Sequence, residues 1–397
     1  MRYRRFGKTD RQLSLFSLGA MRLASEQLAS EQSASGQSAS GQSVSGIAAQ
    51  QVIAEAIDRG INHIETAPAY GRSEQLIGRA LSALQLNRGD GRAQLTITSK
   101  LTPTPEGAQI APAIEASLDR LQVDYLDCLA IHGINTQTHL DWVTNIMLGA
   151  IAPLQSRGLV RHVGFSTHGP LALIQRAIAT NAFSFINLHY NFFFQRNAPA
   201  IEQAHQQDMG IFIISPADKA GMLYTPPEQL KTLCAPFDPL LLNYRWLLSD
   251  PRITTLSVGP AVPAELAWPL EAADSDGPLT ELERTAIERL NVAMQDRLGS
   301  DRCAQCDRCL PCPESINIPE VLRLRNLAVA YDMRAFGQYR YGMFENAGHW
   351  FPGRRGDRCT DCGDCLPRCP QQLDIPTLLR DTHNRLRGKQ RRRLWED

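Results

Sequence analysis

Short apolar runs alternate with amphipathic stretches along the first two thirds of the chain. The runs LSLFSL (13–18), NHIET (62–66), LTITS (95–99), YLDCLAIH (125–132), HVGFS (162–166), FINLH (185–189), IFIIS (211–215) and TTLSV (254–258) are eight strand candidates. Segments of helical length lie between them, among them Ala48–Arg59, Ser73–Leu84, Ala108–Leu121 and Leu140–Arg157. Arg59-Gly60 and Arg157-Gly158 suit helix C-termini, where glycine takes a backbone conformation that costs other residues energy. This alternation implies parallel strands joined by crossover helices. Eight such units in about 250 residues is the size of a (β/α)8 TIM barrel. An open doubly wound sheet shares the periodicity, but no GxGxxG follows the first strand.

Two segments break the pattern. From Leu23 to Gly46 the chain repeats every five residues as LASEQ, LASEQ, SASGQ, SASGQ, SVSG. Five fits neither the helical nor the strand period, and Ser, Gly and Gln bury too little apolar area to offset ordering entropy, so 23–46 reads as a mobile loop. From about Gly299 the texture shifts to cysteines, prolines and arginines. A chain of 397 residues exceeds what one core usually organises, and a division into a barrel at 1–297 and a smaller domain at 298–397 follows.

Charge narrows the partners. Lys+Arg and Asp+Glu both total 41, so no global field draws the chain toward nucleic acid or an anionic membrane. A small molecule or a protein is the expected partner. No run approaches the ~20 apolar residues of a membrane span, and MRYRRFGKTD lacks an apolar signal core; the chain reads as cytoplasmic. Eight of ten cysteines crowd between Cys303 and Cys369, which in such a compartment points to metal rather than disulfides, while Cys128 and Cys234 stand alone.

Barrel active sites gather at the C-terminal strand ends. Four polar residues fall there: Glu65 ends the second strand, Tyr70 follows it, Lys100 closes the third and His132 the fourth. A single such residue is ordinarily just a solvated or hydrogen-bonded side chain. Together they suit carbonyl reduction, because hydride arriving at carbon leaves charge on oxygen that a positioned acid must meet. Lys100 is the cation expected to pull the Tyr70 hydroxyl toward neutrality, Glu65 the counter-charge that holds it, and His132 a donor that orients the oxygen.

At these residues the chain resembles the aldo/keto reductases. HIETAPAYGRSEQLIGRAL is similar to their strand-two motif, ITSKL to the lysine strand and YLDCLAIHG to the histidine strand. The likeness runs from YRRFGKTDRQLSLFSLGAM through GLVRHVGFSTHG and FINLHYN to GIFIISPADKAGML. The resemblance implies that the family's tyrosine, lysine and histidine are Tyr70, Lys100 and His132. Glu65 stands where the family has Asp, and its extra methylene displaces the carboxylate by up to ~1.5 Å. The resemblance further implies NADP(H), with NAD left open, a carbonyl or alcohol substrate, Ser166, Asn187 and Ser215 at the nicotinamide, and Gly259 at the phosphates. PAVPAEL after TTLSVG lacks the Lys or Arg expected to grip a 2′-phosphate, and Pro216 falls where many relatives stack an aromatic ring.

The tail holds two four-cysteine runs, Cys303-x2-Cys306-x2-Cys309-x2-Cys312-Pro313 and Cys359-x2-Cys362-x2-Cys365-x3-Cys369-Pro370. The second has ferredoxin-type [4Fe–4S] spacing, and the first is one residue shorter. Eight thiolates match two clusters; two four-cysteine zinc sites are the alternative. CPESINIPEVLR after the first run repeats as CPQQLDIPTLLR after the second, with Pro319 and Pro376 placed for a helix's first turn. The tail resembles an α-helical ferredoxin domain. That resemblance implies crossed ligation: Cys303, Cys306, Cys309 and Cys369 on one cluster, and Cys359, Cys362, Cys365 and Cys312 on the other. The basic end RLRGKQRRR (385–393) is a candidate dock for a ferredoxin or flavodoxin-type electron carrier, or merely a solvated tail. Three functions stay open: a reductase whose clusters reach one-electron carriers, a reductase with structural clusters, and a barrel that has become an electron-transfer or scaffold protein.

Overall fold

The computed structural model describes residues 1–24 and 44–390. The five-residue repeat, read as a loop, lies mostly outside the described residues, as does the end of the basic tail. The helix after the repeat starts at Val44, ahead of the expected Ala48.

An antiparallel hairpin of β1 (Tyr3–Arg5) and β2 (Gln12–Ser14) opens the chain. Eight parallel strands follow: β3 (Phe16–Gly19), β4 (His63–Glu65), β5 (Thr96–Leu101), β6 (Leu126–Ile131), β7 (Val160–Ser166), β8 (Phe185–Leu188), β9 (Gly210–Ile213) and β10 (Thr255–Val258). They pair in sequence order, and β10 returns to β3 to close a (β/α)8 barrel. Each expected strand is present because a parallel strand buried on both faces is written as a continuous apolar run.

The run 13–18 divides between two elements, which the apolar pattern alone did not show. Its first residues complete the hairpin, and Phe16 enters the barrel. Gly7 and Asp10, with φ of 49° and 56°, turn the hairpin. Phe6 is thereby buried with Leu13, Cys128, Ala130, Phe185 and Phe212. Lys8 N bonds Asp208 O just ahead of β9, so the hairpin closes the N-terminal end of the barrel and leaves the other end for chemistry. Above Phe6, Ser17 bonds His63, His63 bonds Thr98, and burial lowers the His63 pKa to about 3, keeping the ring neutral.

One buried ion cluster carries stability. Asp127, fully buried on β6, accepts from Arg92 at 2.7 Å, Arg161 at 3.2 Å and the Ile97 amide at 3.0 Å. Asp127→Ala would leave buried Arg92 without its counter-charge, and a loss of about 3–5 kcal/mol is expected in denaturant titration.

A second unit gathers 217–243 with the chain from Leu279 onward, so it takes in the helix Glu281–Leu298 and a segment that precedes β10. Its helices include Glu281–Leu298, begun by a Thr280/Glu283 capping box, Ile318–Tyr331, Arg334–Tyr341 and Ile375–Leu386. Pro319 and Pro376 do sit in the first turns of matching helices, capped by Asn317 and Asp374. Among the described residues no helix is long and apolar enough to cross a membrane.

Candidate active site

Closure of the barrel brings Glu65, Lys100 and His132 to one rim from adjacent strands, with Tyr70 above them in the loop after β4. Lys100 Nζ donates to Tyr70 Oη at 2.8 Å and to the Thr66 carbonyl at 3.1 Å, and forms an ion pair with Glu65. Glu65 and Lys100 are buried, whereas Tyr70 is partly accessible at the mouth. The longer carboxylate arm therefore still reaches the lysine. The Tyr70 and His132 rings meet edge to face, with centroids 5.6 Å apart.

Electrostatics here depart from the expectation for Tyr70. Desolvation raises its pKa above the ordinary tyrosine value, Lys100 pulls it down and Glu65 pushes it up, with a net rise. Lys100 was expected to win, but much of its charge is already met by Glu65. Burial would lower the Lys100 pKa, yet Glu65 and Tyr70 together raise it, so the ammonium is held charged. Desolvation, helped by Lys100, lowers His132 to about 3, which makes it a neutral imidazole. Tyr70 thus rests as a protonated acid beside a fixed cation and a neutral ring.

The expected cofactor residues line the same rim. Ser166 and Asn187 are register partners on β7 and β8. Ser166 Oγ accepts from the Gly133 amide at 3.0 Å, which ties it to the residue after His132. Asn187 is fully buried, and neither its Oδ1 nor its Nδ2 has a hydrogen-bond partner. A buried amide left unpaired costs about 1–3 kcal/mol, so this side chain fits a ligand that supplies both a donor and an acceptor. Ser215 follows β9 with φ of 50°, and Gly259 follows β10, its carbonyl accepting from Arg22 at 2.9 Å.

In the second unit the two cysteine runs share one backbone course. Gln305 and Asp361 have φ of 57° and 56°, Asp307 and Gly363 60° and 78°, and Ser315 and Gln372 55° and 53°. Corresponding Cys309 and Cys365 are both buried. Cys312, Cys359, Cys362 and Cys365 line one cavity together with Ile318, Pro376 and Leu379. Burial raises the Cys303 thiol to about 11, and Cys306 and Cys369 add to the rise from close by. The Ala304 amide bonds Gln371 Oε1 at 3.0 Å, joining the first run to the end of the second. Cys309 also lies near Cys365, so the two groups of thiols are neighbours.

Residues 18–291 match the aldo/keto reductase family. The chain belongs to that family. It is an oxidoreductase, and residues 302–373 match a 4Fe-4S dicluster domain. The reductase is 25% identical over 238 residues to YqkF of Bacillus subtilis (strain 168), described as an uncharacterized oxidoreductase, covering 58% of this chain and 69% of that one. It is 33% identical over 125 residues to L-galactose dehydrogenase of Arabidopsis thaliana, covering 30% of this chain and 38% of that one. Among solved structures, aldo-keto reductase AKR11C1 from Bacillus halodurans in its holo form superposes with TM-score 0.57 at 21% identity, covering 73% and 96% of the two chains. An aldo-keto reductase from Klebsiella pneumoniae in complex with NADPH gives 0.55 at 20%, covering 73% and 94%. At those identities the solved structures establish the fold alone.

Sequence reading missed Arg22 and Glu265 in this reductase, which pair across the rim at 2.9 Å. It also missed His168 and His189, whose rings lie 4.4 Å apart after β7 and β8. No local signal marks Arg22, because 237 residues separate it from Gly259 and only barrel closure brings them together.

Proposed function

We propose that this reductase transfers hydride between NADP(H) and a carbonyl or alcohol substrate, with the barrel domain at 1–297 holding the reacting groups. The observation that carries the reading is the 2.8 Å bond from Lys100 Nζ to Tyr70 Oη above the Glu65 ion pair. A bound reduced nicotinamide supplies the hydride to the carbonyl carbon. Tyr70 gives its hydroxyl proton to the oxygen, so that one hydride and one proton yield the alcohol. Neutral His132 donates a hydrogen bond that orients the same oxygen, and Lys100 stabilises the phenolate left behind. Glu65 and the Thr66 carbonyl fix the ammonium. Ser166, Ser215 and the unpaired amide of Asn187 are the groups to hold the carboxamide, and Gly259 presents open backbone to the phosphates.

Glu65→Asp is expected to lower reductase kcat by roughly tenfold, because the shorter arm withdraws the carboxylate from a lysine it now touches. Steady-state kinetics with a generic aldehyde check this. Unchanged kcat would show that Lys100 follows the shorter side chain.

In the domain at 298–397 we assign two [4Fe–4S] clusters, divided as Cys303, Cys306, Cys309, Cys369 and Cys359, Cys362, Cys365, Cys312. The match of residues 302–373 to a 4Fe-4S dicluster domain and the ferredoxin-type spacing of the second run favour cubanes over mononuclear zinc. Each cluster would carry one electron to a ferredoxin or flavodoxin-type carrier, whereas a hydride moves as a pair. Coupling the two needs a group that splits the pair, such as a flavin; without one the clusters serve a structural role. Anaerobic purification followed by an absorption spectrum and a nicotinamide titration tests both halves. Failure to bind either nicotinamide nucleotide would leave the electron-transfer or scaffold reading in place.

A further inference from the structure

Barrel closure sets the loop after β3 beside the loop after β10. Loops after the last strands of such barrels frequently bind phosphate. Here the segment from Gly259 to Glu271 carries no lysine or arginine of its own. The cation arrives from the other side of the seam. Arg22 Nη1 donates to the Gly259 carbonyl and to Glu265 Oε2, each at 2.9 Å, and Nη2 donates to Glu265 Oε1 at 3.2 Å. Glu265 Oε2 also accepts from the Ala261 amide at 2.8 Å. Both side chains are about one third exposed, so the pair can open to a ligand.

A guanidinium that grips a carboxylate with two parallel N–H groups presents the geometry that grips a phosphate. A carboxylate at the adenosine end of a nucleotide site accepts from a ribose 2′-hydroxyl and repels a 2′-phosphate. We propose that Arg22 takes the 2′-phosphate of NADP(H), and that Glu265, which holds Arg22 when no phosphate is present, takes the free 2′-hydroxyl of NAD(H). The inference rests on the nicotinamide reading above. Loading the phosphorylated nucleotide exchanges one bidentate partner of Arg22 for another. The displaced carboxylate stays tethered by the Ala261 amide and opposes the incoming phosphate, so the pair admits both nucleotides and prefers neither strongly.

The test is direct binding to the full chain with its clusters, by nicotinamide fluorescence titration with NADPH and NADH in separate experiments. Arg22→Gln is expected to weaken NADPH by roughly tenfold to a hundredfold, the scale of lost hydrogen bonds to a charged group, and to change NADH by less than about threefold. Arg22→Lys, which keeps the charge but loses the two-pronged grip, should recover part of the NADPH affinity lost in Arg22→Gln, which separates charge from folding. Glu265→Gln should tighten NADPH several-fold and weaken NADH. An equal effect of Arg22→Gln on both nucleotides, or no effect on either, overturns the assignment while the nicotinamide reading stands. If the unaltered protein binds neither nucleotide, that reading falls and takes this one with it.

Discussion

Tyr70→Phe is expected to lower carbonyl reduction by about a hundredfold to ten-thousandfold, the range removed when a positioned acid is lost, with NADPH affinity nearly unchanged. The substitution deletes one oxygen, the one that Lys100 Nζ meets at 2.8 Å, and leaves the ring that packs edge-on to His132. Loss confined to kcat with an unaltered nucleotide titration is the signature of a group acting in the chemical step. Wild-type turnover in Tyr70→Phe would remove the phenol from the mechanism. The pH profile gives an independent check. Tyr70 donates only while protonated, and its pKa is raised above the ordinary value near 10. Reduction should therefore persist through neutral pH and decline only at or above that value. A limb near neutrality would mean that Lys100 overcomes burial after all. His132, at about 3, stays neutral throughout and adds no acid limb above that pH.

What the sequence disclosed and what it hid divide along a physical line. The barrel strands were legible because burial on both faces writes an uninterrupted apolar run, as in the segments around Leu126–Ile131 and Val160–Ser166. Glu65, Tyr70, Lys100 and His132 were legible because strand ends can be counted, and each is fixed by its own strand or the loop after it. The entry of the N-terminal segment into a hairpin was not, since LSLFSL is apolar whether it forms one strand or passes between two. Tertiary pairing was hidden too. The loop after β10 has no cation of its own in sequence, whereas closure brings Arg22 to it from the loop after β3. The direction of the Tyr70 shift was missed for a related reason: a list of neighbours names Lys100 as a cation but does not say that Glu65 and burial have already offset it.

The largest structural consequence falls on Cys369. Under crossed ligation this residue, 57 positions after Cys312 and last in its run, completes the cluster held by Cys303, Cys306 and Cys309. Cys303, Cys306 and Cys309 would supply three thiolates from one tight turn, and Cys369 would supply the fourth from the other run. Two features of the fold favour the crossing. Cys303 feels the Cys369 thiol, and Cys359 and Cys365 each feel the Cys312 thiol. The cavity that Cys359, Cys362 and Cys365 line takes its fourth cysteine from the first run, not from Cys369. Cys369→Ser is therefore expected to alter the same electron paramagnetic resonance signal as Cys303→Ser in the dithionite-reduced protein, and a different one from Cys359→Ser. Cys312→Ser should join Cys359→Ser. Because each crossing ligand ties one run to the other, iron binding is coupled to folding of the whole region, and either crossing variant should also lower its unfolding temperature more than a substitution at the solvent-facing Cys306 or Cys362. The unaltered protein purified without oxygen should carry about eight irons in two magnetically interacting cubanes. If Cys369→Ser instead matches Cys359→Ser, each run holds its own cluster, and the helices led by Pro319 and Pro376 merely repeat a fold without exchanging ligands. Zinc in place of iron would remove the electron-transfer role altogether, because zinc has no second oxidation state to offer a one-electron carrier.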